Sequence, residues 1–281
     1  MLPFPAAAQP LVSVENCMSG SAAAAAANAR SLTTLAWRPF GRNEIGWQIY
    51  ASKIATEIDT RCAGATPGFA AALARWQARR RLAATGAVDP ATFAVMKGDW
   101  QAARPFVALS GRWSCPLPPT TAMLAVVGPG EGYGGKAVEL RRGALLAWRQ
   151  MRAAARREVP AIAAEPRSLQ PYSGFRDPTA DALRCLTELN CNGIVRATCS
   201  AHRTGLAVDM WVGQAPGYGP DSSADPNRLA MVRTLQYRWL LTNAARFGFV
   251  NYVFEPWHWE WTGEPVAVAE ATNLASPAVQ P

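Results

Sequence analysis

Only two histidines occur in this chain of 281 residues, and each stands in a short motif with a carboxylate close by. The first lies in Ser-Ala-His-Arg-Thr-Gly-Leu-Ala-Val-Asp, residues 200–209, and the second in Phe-Glu-Pro-Trp-His-Trp-Glu-Trp, residues 254–261. A hydrolytic zinc site uses three protein donors and one open position, and imidazole nitrogen and carboxylate oxygen are suitable donors. If His202, Asp209 and His258 hold one ion together, the fold must bring two distant segments to a point. That demand constrains the chain more than its composition does.

The residues around these donors fit the chemistry. Gly205 permits a sharp turn after His202, and from there Gly205, Ala207 and Asp209 alternate onto one face of an extended segment. Glu255 stands three residues before His258, and Pro256 between them forbids a helix interior. A carboxylate held beside activated water can take its proton and later deliver it to a leaving amine. Trp257 and Trp259 are expected to wall the site and restrict water. Glu260 alternates with His258, which suits either a hydrogen bond to a ligand or a surface salt bridge.

Along the chain, helical patterns and short extended runs alternate, which points to α+β. A helix is expected from about Ile45 to Ile58, then a break at Arg61–Gly68, then a second helix with Phe69, Leu73 and Trp76 on one stripe. Asp89 and Pro90 read as N-cap and first position of a third helix. A proline-rich link, Cys115-Pro-Leu-Pro-Pro, marks a boundary.

Gly130-Glu-Gly-Tyr-Gly-Gly-Lys136 matches the start of a phosphate loop but has Ala137 where a hydroxyl should hold magnesium. No clear strand enters it, so it reads as a loop leading into a helix from about Val138 to Arg157. Further on, the patterns predict a strand ending near Gly174 and a helix over Thr179–Leu189, then extended chain after Gly193. A helix stopping at Gly248 and final strands from Val250 follow.

The segmentation is therefore a disordered or weakly helical lead-in (1–36), a helical domain (37–104) and a linker with the glycine loop (105–135). A zinc domain (136–270) and a tail (271–281) complete it.

A net charge of +8 comes mainly from arginines on helical stretches, which reads as solvated helix faces or a surface suited to a polyanionic wall. No nucleic-acid module accompanies it, and no apolar run is long enough to span a bilayer. Six cysteines suggest up to three disulfides in an exported protein, or else buried free thiols. Cys185, Cys191 and Cys199 crowd the approach to His202, where a bridge among them would brace the loop. The alanine-rich start lacks the positive end and apolar core of a signal peptide, so export would need a leader not visible here or another route.

Ser-x-His-x-x-Gly-x-Ala-x-Asp followed by Glu-Pro-Trp-His resembles the zinc D-alanyl-D-alanine carboxypeptidases of the VanY type, which share a fold with the Hedgehog signalling domain. Tyr172-Ser173-Gly174-Phe175-Arg176 resembles that family's Ser-Gly-Tyr-Arg segment, with Phe175 in place of tyrosine. The resemblance spans about residues 136–263. It implies a Hedgehog/DD-peptidase-like fold with one zinc ion on His202, Asp209 and His258. Glu255 would be general base and acid, and Arg176 the cation near the substrate carbonyl or terminal carboxylate. Ser200 and Ser173 would be substrate contacts, with Trp257 beside them. Many of that family carry glutamine five residues after the arginine, where this chain has Asp181.

Trp76-Gln77 and Val88-Asp-Pro-Ala-Thr92 resemble the peptidoglycan-binding domain joined to wall hydrolases, although a plain three-helix module has the same stripe. Together these imply a periplasmic or cell-envelope enzyme acting on peptidoglycan stem peptides and docking to glycan. An L,D-carboxypeptidase, a wall endopeptidase, or a non-catalytic wall-binding protein with structural zinc stand as alternatives.

Overall fold

The computed structural model describes residues 15–110, 115–189 and 199–263, which divide into two compact units, Met1–Phe93 and Ala94–Pro281. The chain is α+β, its helices accompanied by small antiparallel sheets.

The first unit opens with α1 (Ala22–Thr34), so the described part of the expected lead-in is largely a docked helix. Its alanine run has the highest helix propensity of any residue, and the Ser21 hydroxyl caps it by accepting the Ala24 N–H. Buried Asn28 donates to Gly86 O and accepts from Val88 N–H, both at 2.8 Å. Strands β1 (Ala36–Trp37) and β2 (Glu44–Ile45) pair next, and α2 (Ala51–Glu57) follows. The helix expected from Ile45 therefore starts only at Ala51. Ile45 is committed to the ladder, and Gly46 at φ 76° breaks any continuation.

In α3 (Pro67–Arg79), Phe69, Leu73 and Trp76 are buried, each such Phe or Leu contributing about 1.5–3 kcal/mol relative to exposure. α4 (Pro90–Ala102) begins as expected, with Asp89 Oδ1 accepting the Thr92 N–H at 2.7 Å. A disulfide joins Cys17 to Cys62.

The second unit continues from α4 into α5 (Pro105–Leu109). β3 (Leu124–Val126) then pairs antiparallel with β4 (Glu139–Arg141), and α6 (Arg142–Glu158) and α7 (Pro160–Ala164) follow. The glycine-rich stretch thus links two paired strands instead of leading into a helix, and the helix expected from Val138 starts at Arg142. Glycine is demanded at 132, where a Cβ would stand 1.9 Å from the Lys136 carbonyl oxygen.

β5 (Pro171–Ser173) precedes α8 (Pro178–Thr187), whose cap, Asp177, accepts the Thr179 and Ala180 N–H groups. β6 (Ala207–Met210), α9 (Asp225–Met231), α10 (Leu235–Asn243), β7 (Phe249–Asn251) and β8 (His258–Trp261) complete the described order. α10 runs into a 3-10 turn that ends at Gly248, left-handed as expected. The main sheet has the order β5-β6-β8-β7, all antiparallel.

Cys199 is bridged to Cys115, far upstream, and not to its sequence neighbours. No described cysteine is free, and such bonds persist in oxidising compartments. Cys191 and the extension expected after Gly193 lie outside the described residues. Among the described residues no helix is long and apolar enough to cross a membrane.

Candidate metal centre

The centre is built by strand register. β6 and β8 lie side by side with Asp209 directly opposite His258, so both side chains leave the same face as neighbours. On the other side of β6, Ser173 pairs with Asp209. His202 arrives from a single 3-10 turn, Ala201–Thr204, capped by the Ser200 hydroxyl and closed by Gly205 at φ 69°. Gly205 therefore makes the turn, and the strand alternation begins at Ala207. The Arg176 N–H pins the turn by donating to the His202 carbonyl at 3.2 Å.

Each donor is oriented. His202 Nδ1 lies 2.7 Å from the Gly174 carbonyl oxygen, which only accepts, so the proton sits on Nδ1 and Nε2 points into the site. That Nε2 lies 3.2 Å from Asp209 Oδ2, and His258 Nδ1 lies 2.9 Å from Asp209 Oδ1. One donor atom from each of the three residues falls within 4.8 Å of the others, and all three residues are buried. Donors around a tetrahedral zinc with bonds of about 2.0–2.1 Å stand roughly 3.3 Å apart, so the two imidazole–carboxylate separations fit the ion.

The electrostatics belong to a closed cluster. Burial lowers the pKa of His202 despite Asp209 beside it, which keeps that imidazole neutral. Burial also opposes charge on His258, but hydrogen bonds to Asp209 and Glu260 outweigh it and raise its pKa to about 9. Asp209 would be raised by burial, yet the two imidazoles hold it well below the usual carboxylate range.

Glu255 is placed differently. Its Oε2 lies 3.9 Å from His258 Nδ1, with 31% of the side chain exposed, so among the carboxylates around His258 it reaches solvent most. Burial is the main reason its pKa is raised, with nearby Asp209 adding to the effect. The turn holding it is a backbone relay: Glu255 N–H donates to Tyr252 O at 2.8 Å, and His258 N–H to Glu255 O at 3.0 Å. Fully buried Arg228 braces the same turn by donating to the Phe254 carbonyl at 2.8 Å.

Of the other expected residues, Arg176 donates from Nη2 to the Ser200 hydroxyl at 3.0 Å, and its Nε stands 3.4 Å from Asp181 Oδ2. Ser173 is half-buried at the end of β5. Trp257 and Trp259 are only 3% and 2% exposed, so both indoles belong to the core instead of lining an open wall. Alternation along β8 explains part of this: with His258 and Glu260 on one face, Trp259 takes the other.

Sequence reasoning missed three contributors. The Gly174 carbonyl orients His202, Arg228 braces the Glu255 turn, and Arg104 lies behind His258. Glu260, 1% exposed, approaches His258 Nε2 at 3.3 Å and is held by Arg104 at 2.5 Å and by the Phe106 N–H at 2.9 Å. It is neither at the surface nor in a surface salt bridge. Burial alone would raise its pKa, but His258 and Arg104 bring it down to about 2.

Neither a family model nor a curated protein matches the chain. Among solved structures, the LdcB LD-carboxypeptidase, described in connection with peptidoglycan recognition, is similar over 51% of this chain and 69% of its own. The identity is 21% and the TM-score 0.38, a loose likeness from which no residue role is drawn.

Proposed function

We propose that the chain is a zinc peptidase of peptidoglycan stem peptides, acting as a D-alanyl-D-alanine carboxypeptidase. The observation that carries this reading is the convergence of His202, Asp209 and His258, with a partly exposed glutamate beside them. The choice of substrate rests on the sequence motifs.

A zinc ion held by these three residues would supply a Lewis acid for the scissile carbonyl and for water. Asp209 and the two imidazoles fix the position of that charge. Glu255 takes a proton from the attacking water and returns it to the nitrogen of the departing D-alanine, so the C–N bond breaks without releasing an amide anion. Arg176, steadied by Ser200, offers a cation to the carbonyl oxygen or the terminal carboxylate, and Ser173 is a further contact. The helical unit would dock the enzyme to glycan in the cell envelope.

One observation favours a neighbouring reading, a wall endopeptidase. Asp181 already stands beside the Arg176 guanidinium, which weakens its pull on a free substrate carboxylate. Incubating zinc-loaded protein with pentapeptide, tetrapeptide and cross-linked stems, followed by mass spectrometry, separates the readings. Release of D-alanine from the pentapeptide alone supports the carboxypeptidase, cleavage of cross-links alone supports the endopeptidase, and no release from any stem sinks both.

A further inference from the structure

We propose that Arg104 is a positioning residue for the centre, acting through Glu260 to fix which nitrogen of His258 faces the ion. This rests on the metal reading above.

Glu260 has two carboxylate oxygens, and both are spoken for. Oε1 accepts from Arg104 Nε at 2.7 Å and Nη2 at 2.5 Å, and it faces His258 Nε2 at 3.3 Å. Oε2 accepts the Phe106 N–H at 2.9 Å. An ionised carboxylate only accepts, so the imidazole nitrogen that faces it must carry the proton. Holding Glu260 still therefore keeps a proton on Nε2, so the proton that a metal displaces is the one Nδ1 shares with Asp209, and Nδ1 becomes the nitrogen that faces the ion. Free rotation of the carboxylate or of the ring would lose that assignment.

Arg104 reaches His258 by a second route. Its guanidinium covers the Tyr252 ring at 4.0 Å, that ring meets the His258 ring edge-on, and the Tyr252 N–H donates to the His258 carbonyl at 3.0 Å. Both the ring and the backbone of the ligand thus lean on one side chain, 156 residues away from Glu260 in sequence. Mere stability is a poor reason for the pair. Arg104 and Glu260 are 7% and 1% exposed, and burying two charges costs desolvation that an apolar pair of similar volume would avoid. What an apolar pair cannot provide is a fixed acceptor at Nε2.

The test uses the whole chain with zinc as probe. Arg104→Met and Glu260→Gln should each weaken zinc binding by about 10–100-fold in chelator competition. The double variant should lose little more than either single one, because both act on one atom. Arg104→Lys, which keeps a donor, should recover part of the loss. A core truncation, Leu145→Ala, should lower stability without this loss of affinity. Proton NMR gives a readout that does not depend on zinc: the His258 Nε2–H should exchange slowly in the wild type and rapidly in Arg104→Met.

Should Arg104→Met not fold, Glu260→Gln and Arg104→Lys carry the same comparison. Variants that bind zinc as tightly as the wild type and keep a protected Nε2–H would overturn the proposal. A wild type that takes up no zinc would instead overturn the metal reading, and the exchange measurement would still decide the role of Arg104.

Discussion

Asp209 Oδ1 lies 2.9 Å from His258 Nδ1, across two adjacent antiparallel strands and 49 residues of sequence. Without an ion this is a charged hydrogen bond. Burial works against the imidazolium, but Asp209 and Glu260 prevail and the pKa rises to about 9. A metal needs Nδ1 bare, so at neutral pH binding must expel one proton. His202, neutral because burial lowers its pKa, releases none. Zinc affinity is therefore expected to rise about tenfold per pH unit up to about 9 and to level off above it. Competition titrations from pH 6 upward would check this, and an affinity flat across neutrality would remove His258 Nδ1 from the donor set.

Glu255 is separable from the donors. It sits 3.9 Å from His258 Nδ1 and is the more solvent-exposed carboxylate there. Glu255→Gln keeps the shape and removes the proton acceptor, so turnover should fall by about 10²–10⁴-fold with zinc content unchanged. Metal analysis beside stopped-time product assays gives both numbers. Full activity in this variant would hand proton transfer to another group.

Local chemistry explains how much of this was legible in the sequence. Asp89 and Pro90 start α4 because a cap and a first-turn proline act within one turn. The meeting of His202, Asp209 and His258 could be read because both histidines of the chain sit in short motifs with a carboxylate at hand, and because those motifs resemble a zinc peptidase family's. What escaped depends on partners remote in sequence. Residues 139–141 have a helical pattern that their pairing with 124–126 overrides. Arg104 precedes a proline in an unremarkable segment, and only the fold reveals that its partner is Glu260.

The same holds for Cys199, whose partner, Cys115, lies 84 residues away. Cys199 immediately precedes Ser200, the residue that caps the His202 turn and meets Arg176. Closing so long a loop stabilises by about 2–5 kcal/mol. Replacing both cysteines with serine should lower the denaturation midpoint accordingly and also weaken zinc retention, since the turn loses its anchor. Denaturant titration with metal analysis measures both, and unchanged zinc affinity would mean that the turn is held by its own hydrogen bonds alone.

In the first unit the sharpest expectation concerns Asn28. Its amide, fully buried in α1, makes two hydrogen bonds of 2.8 Å, to Gly86 O and from Val88 N–H, and so ties α1 to the turn before Asp89. Asn28→Ala leaves a buried carbonyl and a buried N–H without these partners, each costing about 1–3 kcal/mol. Ser21→Ala removes only a part-buried cap bond, worth about 0.5–2 kcal/mol. Alanine suits a helix interior, so propensity partly offsets the first loss but not the orphaned groups. Chemical denaturation should therefore rank Asn28→Ala as clearly the more damaging variant. The opposite order would mean that water reaches the 86–88 turn when the amide is removed, and that α1 is held chiefly by the packing of Ala24 and Ala25.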